Sequence, residues 1–422
     1  MTSGTGPVSG TILVVGGGIS GLTAALEAAE VGYDVILVEK NPYLGGRVAQ
    51  LNKYFPKLCP PTCGLEINFK RIKTNPRLKF YTLAEVEKVS GSPGNYDVSV
   101  KITPRYVNEK CVACNACTEV CPVTRENDFN FGMDMNKAAY KPHDMAFPMQ
   151  YVIDGKVCQK ASCAKCVEVC KYDAIDLKME PKTLELKVGS IVWATGWNPY
   201  DAAKMDNLGF GKYKNVITNM MMERLAAPNG PTAGKITRPS DGKEIQKIAF
   251  VQCAGSRDEN HLPYCSYICC LASLKQATYV AEQYPEAKIS IYYIDIRTPG
   301  RYENFYRKVA ANPNISLIKG KVAQIEEDPA TKDVTVVAEN TATGAKVREK
   351  VDMAVLATGM QPVMAGTNIS LNVPLNESSF VLADPQRGIS ACGCAKEPLD
   401  VVSCAETATG AAMKAIQTLV RR

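Results

Sequence analysis

Histidine and tryptophan are nearly absent from this 422-residue sequence, with 2 of each. So few imidazoles argue against histidine-based metal sites. No Cys-x-x-Cys-His occurs, which excludes c-type haem attachment. No apolar run approaches the ~20 residues of a membrane span. Met1 to Gly10 has neither the basic nor the apolar segment of a secretion signal. The net charge is only +6, and Lys and Arg are spread along the chain, so charge gives no reason to expect nucleic acid. With 46% hydrophobic and 22% charged residues, the composition speaks against disorder, collagen and coiled coil. At roughly 150 residues per domain, the length allows two to three domains. What the chain has in excess is cysteine, 17 in all. The missing signal implies a cytoplasmic, reducing compartment. Disulfides explain so many thiols poorly there, and metal or redox chemistry explains them better.

Thr11 to Val15 reads as a buried strand, Leu22 to Val31 as a helix, and Asp34 to Val38 as a second strand ending at Glu39. Between strand and helix stand Gly16, Gly18 and Gly21, spaced G-x-G-x-x-G. Gly16 allows the tight turn, Gly18 lets backbone approach a pyrophosphate, and Gly21 lets helix and strand pack closely. The helix N-terminus offers free N–H groups to phosphate. Glu39 stands where a carboxylate accepts from ribose hydroxyls, with Lys40 beside it. The alternative is a glycine-rich turn that binds nothing.

Two cysteine runs follow. Cys111-x2-Cys114-x2-Cys117-x3-Cys121-Pro122 has the spacing of a bacterial ferredoxin. The second is Cys158-x4-Cys163-x2-Cys166-x3-Cys170, with a longer first gap and Lys171 in place of proline. In ferredoxins the last cysteine of each run crosses to the other cluster. One [4Fe–4S] set is then Cys111, Cys114, Cys117 and Cys170, and the other is Cys158, Cys163, Cys166 and Cys121. Structural zinc is the competing use of four thiols. A third group, Cys253, Cys265, Cys269 and Cys270, falls on a second βαβ pattern. Its strand is Lys247 to Gln252, its helix runs from about Ser266 to Gln283, and its second strand is Lys288 to Ile294. Gln252-Cys253-Ala254-Gly255-Ser256-Arg257 replaces the glycine motif expected there for a nicotinamide. A third [4Fe–4S] cluster, a redox dithiol and plain core packing are the available readings.

Gly45-Gly46-Arg47 and the segments Ala194-Thr195-Gly196 and Ala357-Thr358-Gly359 resemble the flavoproteins with two dinucleotide-binding folds. That resemblance implies FAD as the N-terminal ligand. It also places Gly393 and Cys394 against the flavin, Cys394 through its backbone. The ferredoxin-like runs, Pro148 to Asp154, Gln252 to Arg257 and Tyr264 to Cys270 are similar to the A subunit of heterodisulfide reductase. The likeness runs through nearly the whole chain, and in that family the third cysteine group ligates a cluster near the flavin.

The fold this implies is α/β. It is an FAD-binding Rossmann-like fold of the thioredoxin-reductase-like class with an inserted bacterial-type 2[4Fe–4S] ferredoxin domain. The expected domains are residues 1–103 (FAD-binding, first part), 104–182 (ferredoxin-like insert) and 183–245 (crossing strand and linker). Residues 246–360 are expected to form a degenerate nucleotide-binding-like domain, and 361–422 to close the FAD domain. The chain is shorter at both ends than the methanogen protein. The compact form resembles the branch found in quinone-interacting membrane-bound oxidoreductases of sulfate reducers. That branch implies a second flavin/iron–sulfur subunit, a membrane haem b subunit reaching menaquinone, and adenylylsulfate reductase as partners. It also implies attachment to the membrane only through those partners. An electron-relay subunit with no organic substrate of its own is the expected function. Heterodisulfide-reductase-type flavin bifurcation and an NAD(P)H-linked disulfide-type reductase are the alternatives.

Of the remaining residues, Cys59 and Cys63 read as a substrate dithiol or as two idle thiols. Cys404 and Met220 to Met222 read as packing. His143 and His261 read as surface or loop groups.

Overall fold

The computed structural model describes residues 9–367 and 373–420, so most of the Met1–Gly10 segment lies outside it. Two compact units emerge. The first comprises Met1–Trp197, Pro362–Glu397 and Val401–Arg422, and the second Asn198–Gln361 with Pro398–Asp400.

The first unit starts with strand β1 (Thr11–Val15), helix α1 (Ile19–Glu30) and strand β2 (Asp34–Glu39). The strands pair in parallel, Ile12 opposite Val35 and Val15 opposite Val38. From Ile12 to Val15 every residue is buried. A continuous apolar run of this kind suits a parallel strand covered on both faces. β3 (Leu78–Thr82) follows helix α2 (Thr62–Thr74) and extends the sheet beyond β2. On the other side lie a strand at Ser190–Trp193 and a closing strand at Ile389–Ala391. Alanines on α1 and on the closing helix Val401–Val420 are buried together, including Ala24, Ala28, Ala408 and Ala412. Their small side chains let the two helices approach closely.

The cysteine-rich insert carries little regular structure. Two four-residue helices, Ala116–Glu119 and Lys165–Glu168, are built alike. Each starts after a left-handed residue, Asn115 (φ 74°) or Ala164 (φ 46°), and each ends on a valine, Val120 or Val169. Tyr106, Val107, Tyr151, Ile153 and Ile175 form the insert's own core with Cys117 and Cys166. Phe129 and Phe147 leave it and join the core around α1.

The second unit has a five-stranded parallel sheet containing Val216–Thr218, Met353–Thr358, Lys247–Ala254, Lys288–Tyr293 and Ile315–Lys319, in that spatial order. Helix α3 (Asn219–Ala226) and helix α4 (Cys269–Gln283) pack on it. Two expectations change here. Within residues 183–245, expected as crossing strand and linker, regular structure continues after Trp197 in residues 198–245. They supply an edge strand and α3, whose start is capped by Thr218 Oγ1 accepting from Met221 N–H, with Met220, Met222 and Leu225 buried. The helix expected from Ser266 starts at Cys269, because Tyr267 takes a left-handed φ of 63° that a helix cannot contain. Among the described residues no helix is long and apolar enough to cross a membrane.

Candidate functional site

The loop after β1 is closed by its own glycines. A Cβ at Gly16 would overlap the Ala194 carbonyl oxygen, and one at Gly21 would overlap the Gly16 carbonyl oxygen. Gly18 differs: a Cβ there would meet only the Gly46 Cα, at 3.9 Å. The protein leaves room at Gly18 that its fold does not require. Gly45 N–H donates to the Gly17 carbonyl at 2.8 Å, so the second glycine pair is tied to the first loop. Thr195 Oγ1 is buried there without a hydrogen-bond partner. An open backbone cradle at a helix N-terminus, with one unsatisfied hydroxyl beside it, fits a dinucleotide pyrophosphate.

Glu39 is buried, and burial pushes its carboxyl above the usual carboxylate range. It is held in place. Oε2 accepts from Gly17 N–H at 2.6 Å, and Oε1 accepts from Asn41 N–H and Nδ2 at 2.7 and 2.8 Å. Sequence reasoning missed Asn41, although an amide two residues past an acid is a recognisable local partner. Lys40 does not join the loop; its ammonium pairs with Glu85 at 3.2 Å in solvent. Arg47 donates to the Trp197 carbonyl and Gln50 Oε1 and lies over Phe131 of the insert. Gly393 takes a φ of 59° and packs on Ser20, while its N–H donates to Thr407 Oγ1 at 3.0 Å. The Cys394 thiol is buried and lies 3.7 Å from Cys404 Sγ.

The insert holds two cavities. One is lined by Cys121, Cys158, Cys163 and Cys166. The other is lined by Cys111, Cys114, Cys117 and Cys170. The last cysteine of each run therefore lines the cavity of the other run. Among the described residues no group of His, Cys, Asp or Glu is arranged to hold a single metal ion. Four thiols line each of these two spaces. Burial pushes the Cys117 thiol up to about 12 and Cys166 up to about 11, and nearby thiolates add to both. Such thiols ionise only if a cationic core takes up their charge. Backbone N–H groups of Lys160 and Ala174 already point at Cys158 Sγ and Cys170 Sγ, at 3.3 and 3.4 Å.

The third cysteine group also gathers. Cys253 sits at a break in strand register between Val251 and Ala254, with φ 54°. Cys269 and Cys270 open α4, where free helix N–H groups favour thiolate. Ser256 and Ser266 share a 2.7 Å hydrogen bond, and Ser266 Oγ accepts from Met360 N–H, which fixes the segment carrying Cys265. Burial first, then the Cys270 and Cys265 thiolates, push Cys253 up to about 11. Burial first, then the other three thiols, raise Cys269 as well. Gln252 is 3% exposed, yet neither of its amide atoms has a partner. A buried amide without a partner is costly, and a bound group would satisfy it.

Cys59 and Cys63 both lie near the Tyr54 hydroxyl, which burial and these thiols push upward. His143 is not simply a surface group. Its ring stacks on Phe129 at 4.6 Å and meets Tyr43 edge-on at 4.9 Å. His261 Nδ1 shares a 2.9 Å hydrogen bond with Tyr200 Oη.

The FAD dependent oxidoreductase family model matches residues 11–58, the stretch holding the glycine loop, Glu39 and Gly45-Gly46-Arg47. The chain resembles thioredoxin reductase from T. acidophilum in structure, with a TM-score of 0.53, 14% identity, and coverage of 96% of this chain and 97% of that one. It resembles a bacillithiol disulfide reductase from Bacillus cereus similarly, with a TM-score of 0.54, 14% identity, and coverage of 98% and 99%. These likenesses bear out the two-dinucleotide-binding architecture. In sequence, the chain is 42% identical to an iron-sulfur A subunit of CoB–CoM heterodisulfide reductase from Methanopyrus kandleri, covering 98% of this chain and 65% of the relative. It is 36% identical to the A subunit of the H(2):CoB-CoM heterodisulfide,ferredoxin reductase of Methanothermobacter marburgensis, covering 97% of this chain and 64% of the relative. It thus spans just under two thirds of these curated relatives. Over that span, the chain is similar to heterodisulfide reductase A subunits at 36–42% identity.

Proposed function

We propose that this chain is a flavin and iron–sulfur electron-transfer subunit of a larger oxidoreductase. The observation that carries the reading is the pair of insert cavities, each lined by four cysteines drawn from both runs. FAD would lie on Gly16, Gly18, Gly21, Glu39, Gly45, Gly46, Arg47, Ala194, Thr195, Gly196, Gly393 and Cys394. Lys40 stands outside that set because it pairs with Glu85. Two [4Fe–4S] clusters would occupy the insert cavities, and a third would sit on Cys253, Cys265, Cys269 and Cys270. FAD exchanges electrons in pairs and each cluster exchanges them singly, so together they convert between the two. The chain's own contribution is to orient these groups and set their potentials. Backbone N–H donors at Cys158, Cys170 and Cys265 serve the second purpose.

The setting we propose is a quinone-interacting membrane-bound oxidoreductase of sulfate respiration, whose A subunit this chain resembles. Its partners would be a second flavin/iron–sulfur subunit, a membrane haem b subunit, and adenylylsulfate reductase, on the cytoplasmic face of the membrane. The second reading is a heterodisulfide-reductase-type bifurcating subunit. It is favoured by relatives whose names join a heterodisulfide and ferredoxin. A self-sufficient NAD(P)H reductase is disfavoured, because cysteines stand where the second glycine motif would be.

Iron and FAD content of the anaerobically purified chain tests the proposal. About 12 iron per FAD are expected for three clusters. About 8 would leave the third cysteine group without a cluster and reopen the dithiol and NAD(P)H readings. Zinc in place of iron would overturn the electron-transfer reading.

A further inference from the structure

The cluster assignments above leave Cys59, Cys63, Cys392, Cys394 and Cys404 without a part in electron transfer. Three of them gather at one place. Cys392, Cys394 and Cys404 are all buried, and the sulfurs of Cys394 and Cys404 lie 3.7 Å apart. The backbone on both sides is already held. Gly393 N–H, next to Cys394, donates to Thr407 Oγ1 at 3.0 Å. Thr407 stands three residues past Cys404 on the closing helix Val401–Val420. A Cβ at Gly393 would overlap Ser20 Oγ, so the same loop rests on the first turn of α1, beside the glycine cradle.

Packing alone does not ask for a thiol at Cys404. The other buried residues of the closing helix, Ala408, Ala411, Ala412 and Ala415, are all alanine. Cys404 breaks that pattern at the position that meets a second sulfur. A disulfide needs about 2.05 Å between sulfurs, so the pair has to close by about 1.7 Å. Cys404 lies in the first turn of its helix, where free N–H groups favour the thiolate. Cys392 is placed differently. Burial first, then Cys404, push its thiol up to about 12, so it stays protonated and is a poor nucleophile.

We propose that Cys394 and Cys404 are a peroxide-oxidised dithiol whose disulfide locks the loop at Gly393 onto the closing helix. The consequence for flavin rests on the FAD assignment above; the dithiol itself does not. The Cys404 thiolate attacks one oxygen of hydrogen peroxide. The O–O bond breaks, a sulfenic acid forms, and the departing hydroxide takes up a proton to become water. Cys394 then attacks the Cys404 sulfur. The S–S bond forms, the S–O bond breaks, and a second water leaves. The pair gives up two electrons and two protons, and the peroxide becomes two waters. With Cys394 6% and Cys404 5% exposed, the site favours an oxidant of this size over a bulky disulfide. Once joined, the short loop between the two cysteines loses freedom, and the Gly393 backbone is held where the pyrophosphate cradle needs it. FAD release then slows.

The test uses the full chain, loaded with iron and FAD and kept anaerobic. It is treated with a small molar excess of hydrogen peroxide, and iron is measured before and after to separate cluster loss from thiol oxidation. Remaining thiols are alkylated. Trypsin without reductant then places Cys392 and Cys394 on residues 388–396 and Cys404 on residues 397–414. Mass spectrometry should find these peptides joined through Cys394, with Cys392 alkylated. FAD release, followed by flavin fluorescence after dilution, should slow about tenfold in the oxidised chain and recover with dithiothreitol. C404A matches the alanines of the rest of the helix face and should release FAD at the reduced rate with or without peroxide. The proposal is overturned if Cys394 and Cys404 both emerge alkylated, or if Cys392 takes the place of Cys394. It is also overturned if the joined chain releases FAD as fast as the reduced one. A reduced chain that holds no FAD would instead overturn the flavin assignment, while the mass spectrum still decides the dithiol.

Discussion

Gly18 and Gly21 are three residues apart in one loop, yet their replacement by alanine should have opposite consequences. Gly18 has φ −74° and ψ −177°, an extended conformation open to alanine. Its added methyl would meet nothing in the protein nearer than the Gly46 Cα at 3.9 Å. Alanine also restricts the unfolded chain, so G18A should leave the flavin-free protein as stable as before, or more stable by about 0.4–1 kcal/mol. The same methyl enters the space assigned to the pyrophosphate. Overpacking a fitted site costs about 1–3 kcal/mol, which is about a 5- to 150-fold loss of FAD affinity. At Gly21 the methyl would instead strike the Gly16 carbonyl oxygen. Backbone must then move between β1 and α1, and G21A should destabilise the flavin-free protein by about 3 kcal/mol or more. The assay is thermal unfolding of the flavin-free variants beside FAD titration followed by flavin fluorescence. If G18A binds FAD as tightly as the wild type, the phosphate does not rest on Gly18 and the assignment of this loop is wrong. If G21A is as stable as the wild type, the close approach of α1 to β1 is wrong.

Some of this was legible in the sequence because chemistry dictates residue type at short range. A phosphate loop needs glycine at Gly16, Gly18 and Gly21, and a crossed pair of clusters needs cysteines in two spaced runs. Cys121 and Cys170 could be assigned to opposite sets before any fold was known, and each now lines the cavity of the other run. What the sequence hid depends on contacts far apart in the chain. Lys40 follows Glu39, yet its side chain finds Glu85 on a neighbouring strand. His143 is stacked by Phe129 and Tyr43, which come from different segments. Residues 183–245 read as crossing strand and linker because Pro228, Gly230 and Pro231 interrupt their periodicity. The eight residues of α3 are too short to show an amphipathic repeat, although Met220 and Met222 are buried once the sheet is in place. The network behind α3 was equally invisible, since Gln276 reaches the Asn219 carbonyl only after α3 and α4 have packed.

Cys121→Ser should remove the iron held with Cys158, Cys163 and Cys166, about four of about 12 per FAD, and spare the other lobe. EPR of the reduced variant reads this, and loss of the signal from the Cys111 lobe instead would show that the sets are not crossed. Burial holds Glu39 above its usual 4.5, so its contribution to stability is present below that pH and lost as pH rises through the raised value. The flavin-free chain should therefore lose stability across that window and E39Q should flatten the loss, as read by thermal unfolding against pH; an unchanged slope in E39Q would assign the titration elsewhere. Lys275 Nζ pairs with Glu223 Oε1 at 3.0 Å with both side chains buried. Lys275→Met removes the cation and leaves that buried carboxylate with the neutral donors Gln276 and Tyr279; it should cost about 3–5 kcal/mol in urea unfolding, whereas K275M/E223Q should cost clearly less than the two single changes together. Gln252 supplies the last test, because its amide is buried with neither atom paired. Leaving a buried polar group unsatisfied costs about 1–3 kcal/mol, whereas an apolar side chain of similar shape carries no such penalty. In the iron-free chain Q252L should therefore be at least as stable as the wild type. If what the third cysteine group binds satisfies this amide, the substitution should become unfavourable in the iron-loaded chain. A change of equal sign and size in both states would mean that Gln252 takes no part in holding what the third cysteine group binds.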